Sequence, residues 1–257
     1  MLLAIDIGNT NTVAGLFVDG ELQSKTRLES VRINPFLNIW APMWGWFQHV
    51  TPSLEERFDI AVASVVPQLT NDVEDFFETN LALRPFIIDS DTKLPLKLKY
   101  DDPSQIGPDR ICNAVAAKEL YQKDNRPVVV VDFGTATTFD IISADGDYLG
   151  GIIAPSPKTA VANLAEKTAL LFEVPIEPPA TGIIAKNTED AIKSGMFYGT
   201  IGMIEYMLNK IAEELDSKPI AIATGGLAPL VNKHCKLFET VDEDLTLKGI
   251  ARVFGMR

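Results

Sequence analysis

An α/β protein of two similar halves is what the sequence predicts, on three observations. Residues 128–151, VVVVDFGTATTFDIISADGDYLGG, repeat the layout of residues 2–25, LLAIDIGNTNTVAGLFVDGELQSK. A shift of 126 positions carries Asp6 onto Asp132, Gly8 onto Gly134, Thr12 onto Thr138, Asp19 onto Asp145 and Gly20 onto Gly146. Helix-like segments follow each copy, and strands that give way to helices twice over define the class. The halves divide at 1–122 and 123–257.

The elements follow in order. Residues 2–6 are continuously apolar, as suits a strand covered on both faces. A turn at Gly8-Asn9-Thr10-Asn11-Thr12 leads to a strand over 12–18, and Asp19-Gly20 is a hairpin signal before a more polar strand over 21–28. Residues 34–49 hold all three tryptophans, Trp40, Trp44 and Trp46. Their ordinary reading is a helical or irregular segment packed on the core, and the alternative is an exposed aromatic patch. A buried strand over 59–66 stops at Pro67, an acidic helix spans 68–82, and 85–88 is a short strand. After a linker, a helix runs from Arg110 to about 122. The second meander occupies 128–151 and closes in a stiff turn through Pro155 and Pro157. A helix is expected over 158–172 and a long one from about Thr188 to Leu215, capped by Asn187 or Thr188. On the long helix, Gly195 and Gly199 lie one turn apart, suited to close packing of another helix. Residues 219–224 form a buried strand ending in Gly225-Gly226, and the tail after Asp244 is a final helix.

Composition sets the outer limits. The 257 residues are 46% hydrophobic and 23% charged, which is globular. A net charge of −12 argues against nucleic acid and membrane surfaces as partners. Two distant cysteines suit a reducing compartment, and two histidines in no metal-type spacing make histidine-based catalysis a poor fit. The N-terminus does not read as a signal peptide and no apolar run reaches membrane-spanning length, so a cytoplasmic protein is expected.

The chemistry centres on the doubled turn. In each copy a carboxylate, Asp6 or Asp132, stands at the end of a buried strand, where desolvation is costly unless a cation or donors compensate. Two such carboxylates facing one cleft would hold Mg²⁺. The adjoining glycines and short polar residues offer backbone N–H groups to phosphates. Ala223-Thr224-Gly225-Gly226, a strand opening on glycines, suits close approach by a nucleotide's ribose or base. Asp109, near the start of a helix, is either an N-cap or a general base for phosphoryl transfer, with Arg110 beside it to pair an anion.

These residues, with Tyr100…Gly107-x-Asp109-Arg110, Gly150-Gly151-x-Ile153-x-Pro155 and Asn187-Thr188 before Ser194-Gly195, come in an order that resembles type III pantothenate kinases. That family is part of the acetate kinase, sugar kinase, Hsp70 and actin superfamily. The resemblance implies two ribonuclease H-like domains with an ATP cleft between them, and a homodimer with its active site at the interface. It implies ATP-dependent phosphorylation of pantothenate, the first step of coenzyme A synthesis, with Mg²⁺ and a monovalent cation, K⁺ or NH₄⁺. Asp6, Ile7, Gly8, Asn9, Thr10 and Asn11 would meet the ATP phosphates, Asp6 also the metal. Asp109 would be the base, and Tyr100, Gly107, Pro108 and Arg110 would contact pantothenate with Thr188 from the other subunit. Asp132 would hold the monovalent cation, Thr135 would lie near the phosphates, and Gly225 and Gly226 near the nucleotide.

The chain departs from the family pattern at Ser156 and Ala185, where glycine is usual, at Pro108, where a small residue is usual, at Phe172, and in the tryptophan segment. The alternative reading is a family member that keeps the fold as a regulatory nucleotide-binding protein with little or no turnover. A pure binder has no use for a base, so the set Asp6, Asp109, Arg110 and Asp132 favours an enzyme.

Overall fold

The structure, a computed structural model, describes residues 1–51 and 57–257. It divides into two compact units, 1–120 with 244–257 and 121–243.

In unit 1, strands β1 (Leu2–Ile7), β2 (Asn11–Val18) and β3 (Glu21–Glu29) form an antiparallel meander. Asp19 and Gly20 turn its second corner, with φ of 52° and 83°. A π-helical turn, Phe36–Trp40, runs into α1 (Ala41–Val50). Next come β4 (Asp59–Ser64), α2 (Pro67–Leu81), β5 (Phe86–Ile88) and α3 (Pro108–Tyr121). The sheet order is β3-β2-β1-β4-β5, with β4 and β5 parallel to β1. Alternate residues of β1 face opposite ways. Leu3, Ile5 and Ile7 join the core that α1 and α2 close. Trp40 is fully buried there and Trp44 and Trp46 pack against it, so the tryptophans belong to the core. Ile33, Phe36 and Leu37, just ahead of them, remain exposed.

Unit 2 repeats the plan. Strands β6 (Val128–Phe133), β7 (Ala136–Ile142) and β8 (Tyr148–Pro155) make the meander, followed by α4 (Pro157–Lys167), α5 (Thr188–Glu214), β9 (Ile220–Gly225), α6 (Ala228–His234) and β10 (Thr240–Val241). Its sheet order, β10-β9-β6-β7-β8, matches the first read in reverse, with the same parallel and antiparallel senses. The four valines of β6 are wholly buried. Each contributes on the order of 1.5–3 kcal/mol by leaving water, which is why this strand sits centrally.

Five expectations change. The first turn is one residue shorter in the second copy: Ile7 pairs with Thr12, but Phe133 pairs with Thr137. Thr12 therefore corresponds to Thr137 and not to Thr138. The segment 150–155 is the end of a strand rather than a turn, because β8 pairs with β7 through Pro155. Helix α4 stops at Lys167, where the Thr168 hydroxyl takes the Leu164 carbonyl. Helix α7 (Leu245–Phe254), which the sequence reading placed in the second half, belongs to unit 1. A Cβ built on Gly15 of β2 would touch Leu247 Cδ1 at 3.0 Å, and one on Gly249 would overlap the Cys112 carbonyl of α3. Finally, nothing lies within 4 Å of a Cβ built on Gly195, Gly199 or Gly202, so among the described residues no helix packs closely there. No helix is long and apolar enough to cross a membrane.

Candidate active site

In unit 1 the site grows from the end of β1. Asp6 lies between Val13 of β2 and Ala63 of β4 and is half-buried. The chain then turns: the Gly8 amide donates to the Asn11 carbonyl at 2.9 Å, and a Cβ on Gly8 would come within 3.1 Å of that oxygen. Ile7 is buried, Asn9 and Thr10 are exposed, and Asn11 opens β2. One strand over, the Val65 amide donates to the Ile7 carbonyl at 3.0 Å.

Val65 leads to the second part of the site. A Cβ on Gly107 would sit 3.3 Å from Val65 Cγ1 and would overlap the Asp109 carboxylate. Only glycine lets Asp109 fold back at the start of α3. Pro108 occupies the first position of that helix, where its missing N–H costs nothing. Asp109 is the second residue of α3 and not its N-cap, and its Oδ1 accepts the amide of the next residue, Arg110, at 2.8 Å. Burial nevertheless pushes the Asp109 pKa up, against the lowering effect of that amide and of the Arg110 guanidinium. Arg110 is buried and Tyr100 half-buried. The carboxylates of Asp6 and Asp109 both act on the buried Cys112 thiol, raising its pKa beyond what burial alone does. Val65 thus joins the end of β1, through the Ile7 carbonyl, to Gly107 at the start of α3 within unit 1.

Unit 2 holds the remaining candidates. Asp132 pairs with Thr138 and with Thr224. Gly225 has φ of +83°, and a Cβ there would meet Asp132 Oδ1 and the Phe133 carbonyl, each at 2.6 Å. Glycine is demanded twice, by conformation and by space, and a carboxylate and a carbonyl oxygen converge on the position. Gly226 is open, and the Thr135 carbonyl accepts the Thr159 hydroxyl at 2.7 Å. Thr188 is the exposed first residue of α5. Its helix is capped by Asn187, whose Oδ1 accepts the Asp190 amide at 2.8 Å, while the Asp190 carboxylate accepts the Ala180 amide and the Thr181 hydroxyl. That network ties the 168–187 loop to the helix and, led by the Asn187 side chain, holds the Asp190 pKa down.

The donor sets fit the expected cations. Among the described residues no three His, Cys, Asp or Glu side chains cluster as a cage. Mg²⁺ needs none, since it keeps waters and takes one or two carboxylates with substrate phosphates. The oxygen pair beside Gly225 suits a hard cation. The sequence reading passed over Val65, Cys112 and Arg32. The last donates to the Asn9 side-chain carbonyl at 3.2 Å.

Two units built on mixed five-stranded sheets in one order, each with an aspartate at the end of its central strand, define the actin, Hsp70 and sugar kinase fold. A glucokinase of the ROK family from Streptomyces griseus, crystallised with glucose and AMPPNP, superposes with a TM-score of 0.56 at 14% identity over 98% of both chains. In sequence, a type III pantothenate kinase from Thermomicrobium roseum is 39% identical over 99% of this chain and 96% of its own. One from Dehalococcoides mccartyi is 37% identical over 99% and 95%. The profile of type III pantothenate kinases matches residues 2–210. The chain belongs to the type III pantothenate kinase family.

Proposed function

We propose that this chain transfers the γ-phosphoryl group of ATP to the hydroxyl of pantothenate, giving 4′-phosphopantothenate and ADP, the first step of coenzyme A synthesis. The approach of Gly107 and Asp109 to Val65, whose amide is bound to the Ile7 carbonyl next to Asp6, in a member of this family, carries the reading. Asp109 accepts the hydroxyl proton as the oxygen–phosphorus bond forms and the bond to the β-phosphate oxygen breaks. A base works best as its pKa nears the working pH, and burial moves Asp109 that way. Phosphoryl transfer asks little else beyond positioning and charge neutralisation.

Tyr100, Gly107, Pro108 and Arg110 hold pantothenate, with Thr188 of the partner subunit. The turn from Asp6 through Ile7, Gly8, Asn9, Thr10 and Asn11 takes the ATP phosphates on its amides, Thr135 lies beside them, and Gly225 and Gly226 admit the nucleoside. Mg²⁺ at Asp6 neutralises phosphate charge when bound. K⁺ or NH₄⁺ fits Asp132 and the Phe133 carbonyl. The homodimer is supported by exposed Ile153, Leu170, Phe172, Ile183 and Ile184 in unit 2 and by the open glycines of α5. Net charge supports a cytoplasmic enzyme without nucleic-acid or membrane partners.

The test is direct. Purified protein with ATP, Mg²⁺ and K⁺ or NH₄⁺ yields 4′-phosphopantothenate by mass spectrometry and a dimer mass by light scattering. No product with either monovalent cation overturns the kinase and leaves a nucleotide-binding accessory. A monomer removes the role given to Thr188.

A further inference from the structure

The turn after β1 lacks positive charge. Gly8-Asn9-Thr10-Asn11 carries no basic residue, Asp6 precedes it, and the chain's net charge is −12. A triphosphate arriving there meets amides and a carboxylate in a negative field. Counter-charge reaches the turn from the end of β3. Asn11 pairs with Glu29, and the next residue, Ser30, donates its amide to the Thr10 carbonyl at 2.9 Å. The Ser30 and Thr12 hydroxyls lie 2.9 Å apart, which fixes the strand end against the turn. Two residues on, the exposed Arg32 donates through Nη2 to Asn9 Oδ1 at 3.2 Å. A guanidinium has five N–H donors in a planar fork that matches phosphate oxygens. One long bond to an amide leaves most of that fork available at the mouth of the turn.

We infer that Arg32 is an ATP-binding residue that engages the β- and γ-phosphates at the Gly8–Asn11 turn, selecting nucleoside polyphosphates over monophosphates. This rests on reading that turn as the phosphate site. The contact to Asn9 is exposed, so its contribution to folding is small, and its use is to park the guanidinium where the phosphates arrive.

Arg32→Ala in the full chain raises KM for ATP roughly ten- to a hundredfold, the scale of a lost hydrogen bond to a charged group. KM for pantothenate stays put, and Arg32→Lys recovers part of the loss. By calorimetry ADP binding weakens while AMP binding does not. An unchanged KM for ATP, or ADP and AMP weakening by the same factor, overturns the assignment. Asn9→Asp, which puts a carboxylate on the exposed turn, separates the two failures. If it raises KM for ATP and Arg32→Ala does not, the turn reading stands and the arginine falls. If neither moves it, both fall.

Discussion

Asp109 serves two masters in one helix turn. Its Oδ1 accepts the Arg110 amide, and its burial makes it a stronger base than a free aspartate. Because the base acts as the carboxylate, kcat/KM for pantothenate falls with an acid limb at a pKa above the ordinary value of 3.8. The same shift acts on stability. The native state binds this proton more tightly than the unfolded chain does, so acid favours folding through this group. Its cost is absent below the unfolded pKa and fully present above the native one. Asp109→Asn therefore lowers kcat by about 10²–10⁴ while its thermal midpoint at neutral pH stays at or above wild type. Near-normal turnover would remove the role of base from Asp109. At this scale the sequence shows the acids clearly, since a carboxylate ending an apolar run stands out. It does not show why Gly107 and Gly225 are glycines: each yields to an aspartate oxygen that only the folded chain brings near. Nor does it show Arg32, whose link to Asn9 depends on where β3 ends.

Among the elements, long periodic or wholly apolar stretches were legible, namely both meanders, α2, α3, α5 and α7. The short ones were not. Helix α6 and strand β10, within residues 227–243, are too brief to show a period and form because β9 and its neighbours offer them a surface. The repeat itself misled by one residue: equal offsets in sequence hide a first turn that loses a residue and a second hairpin that regains it, between Ile142 and Tyr148. The Thr12 counterpart, Thr137, is buried, as its pairing with Phe133 requires. The meeting of α7 with α3 has no sequence signature either. Gly249 lies against the Cys112 backbone, and Thr246 Oγ1 donates to Asn113 Oδ1 at 2.8 Å nearby. A methyl group there must push two helices apart. Gly249→Ala should destabilise by about 1–3 kcal/mol, the cost of overpacking, read as a lower denaturant midpoint. An unchanged midpoint would mean that the helices yield freely.

As a whole molecule the chain is one unit inserted into another. Unit 2 is a single stretch, 121–243, and unit 1 is completed by 244–257. The ends of the insert lie together, for the Tyr121 hydroxyl donates to Asp242 Oδ2 at 2.6 Å and burial with that bond drives the Tyr121 pKa far up. Neighbouring ends are what domain insertion needs. A fragment 121–243 should melt cooperatively, whereas 1–120 should not until 244–257 is joined to it through a short linker. A cooperative melt of 1–120 alone would show α7 to be dispensable. The repeat puts the boundary of its halves at 122, and the compact units part at 120 and again at 243. The return of the last helix was not legible, since nothing in its amphipathic pattern says which sheet it will cover.

The insertion also sets an order of events during synthesis. Domains tend to fold as they leave the ribosome, earliest first. Here the first sheet emerges with α1, α2 and α3 but without α7, and must wait for that last helix while all of unit 2 is made. Unit 2 is complete once residue 243 is out. The half translated first is thus the half finished last, and a stop codon at position 244 would strike the earlier half and spare the later one.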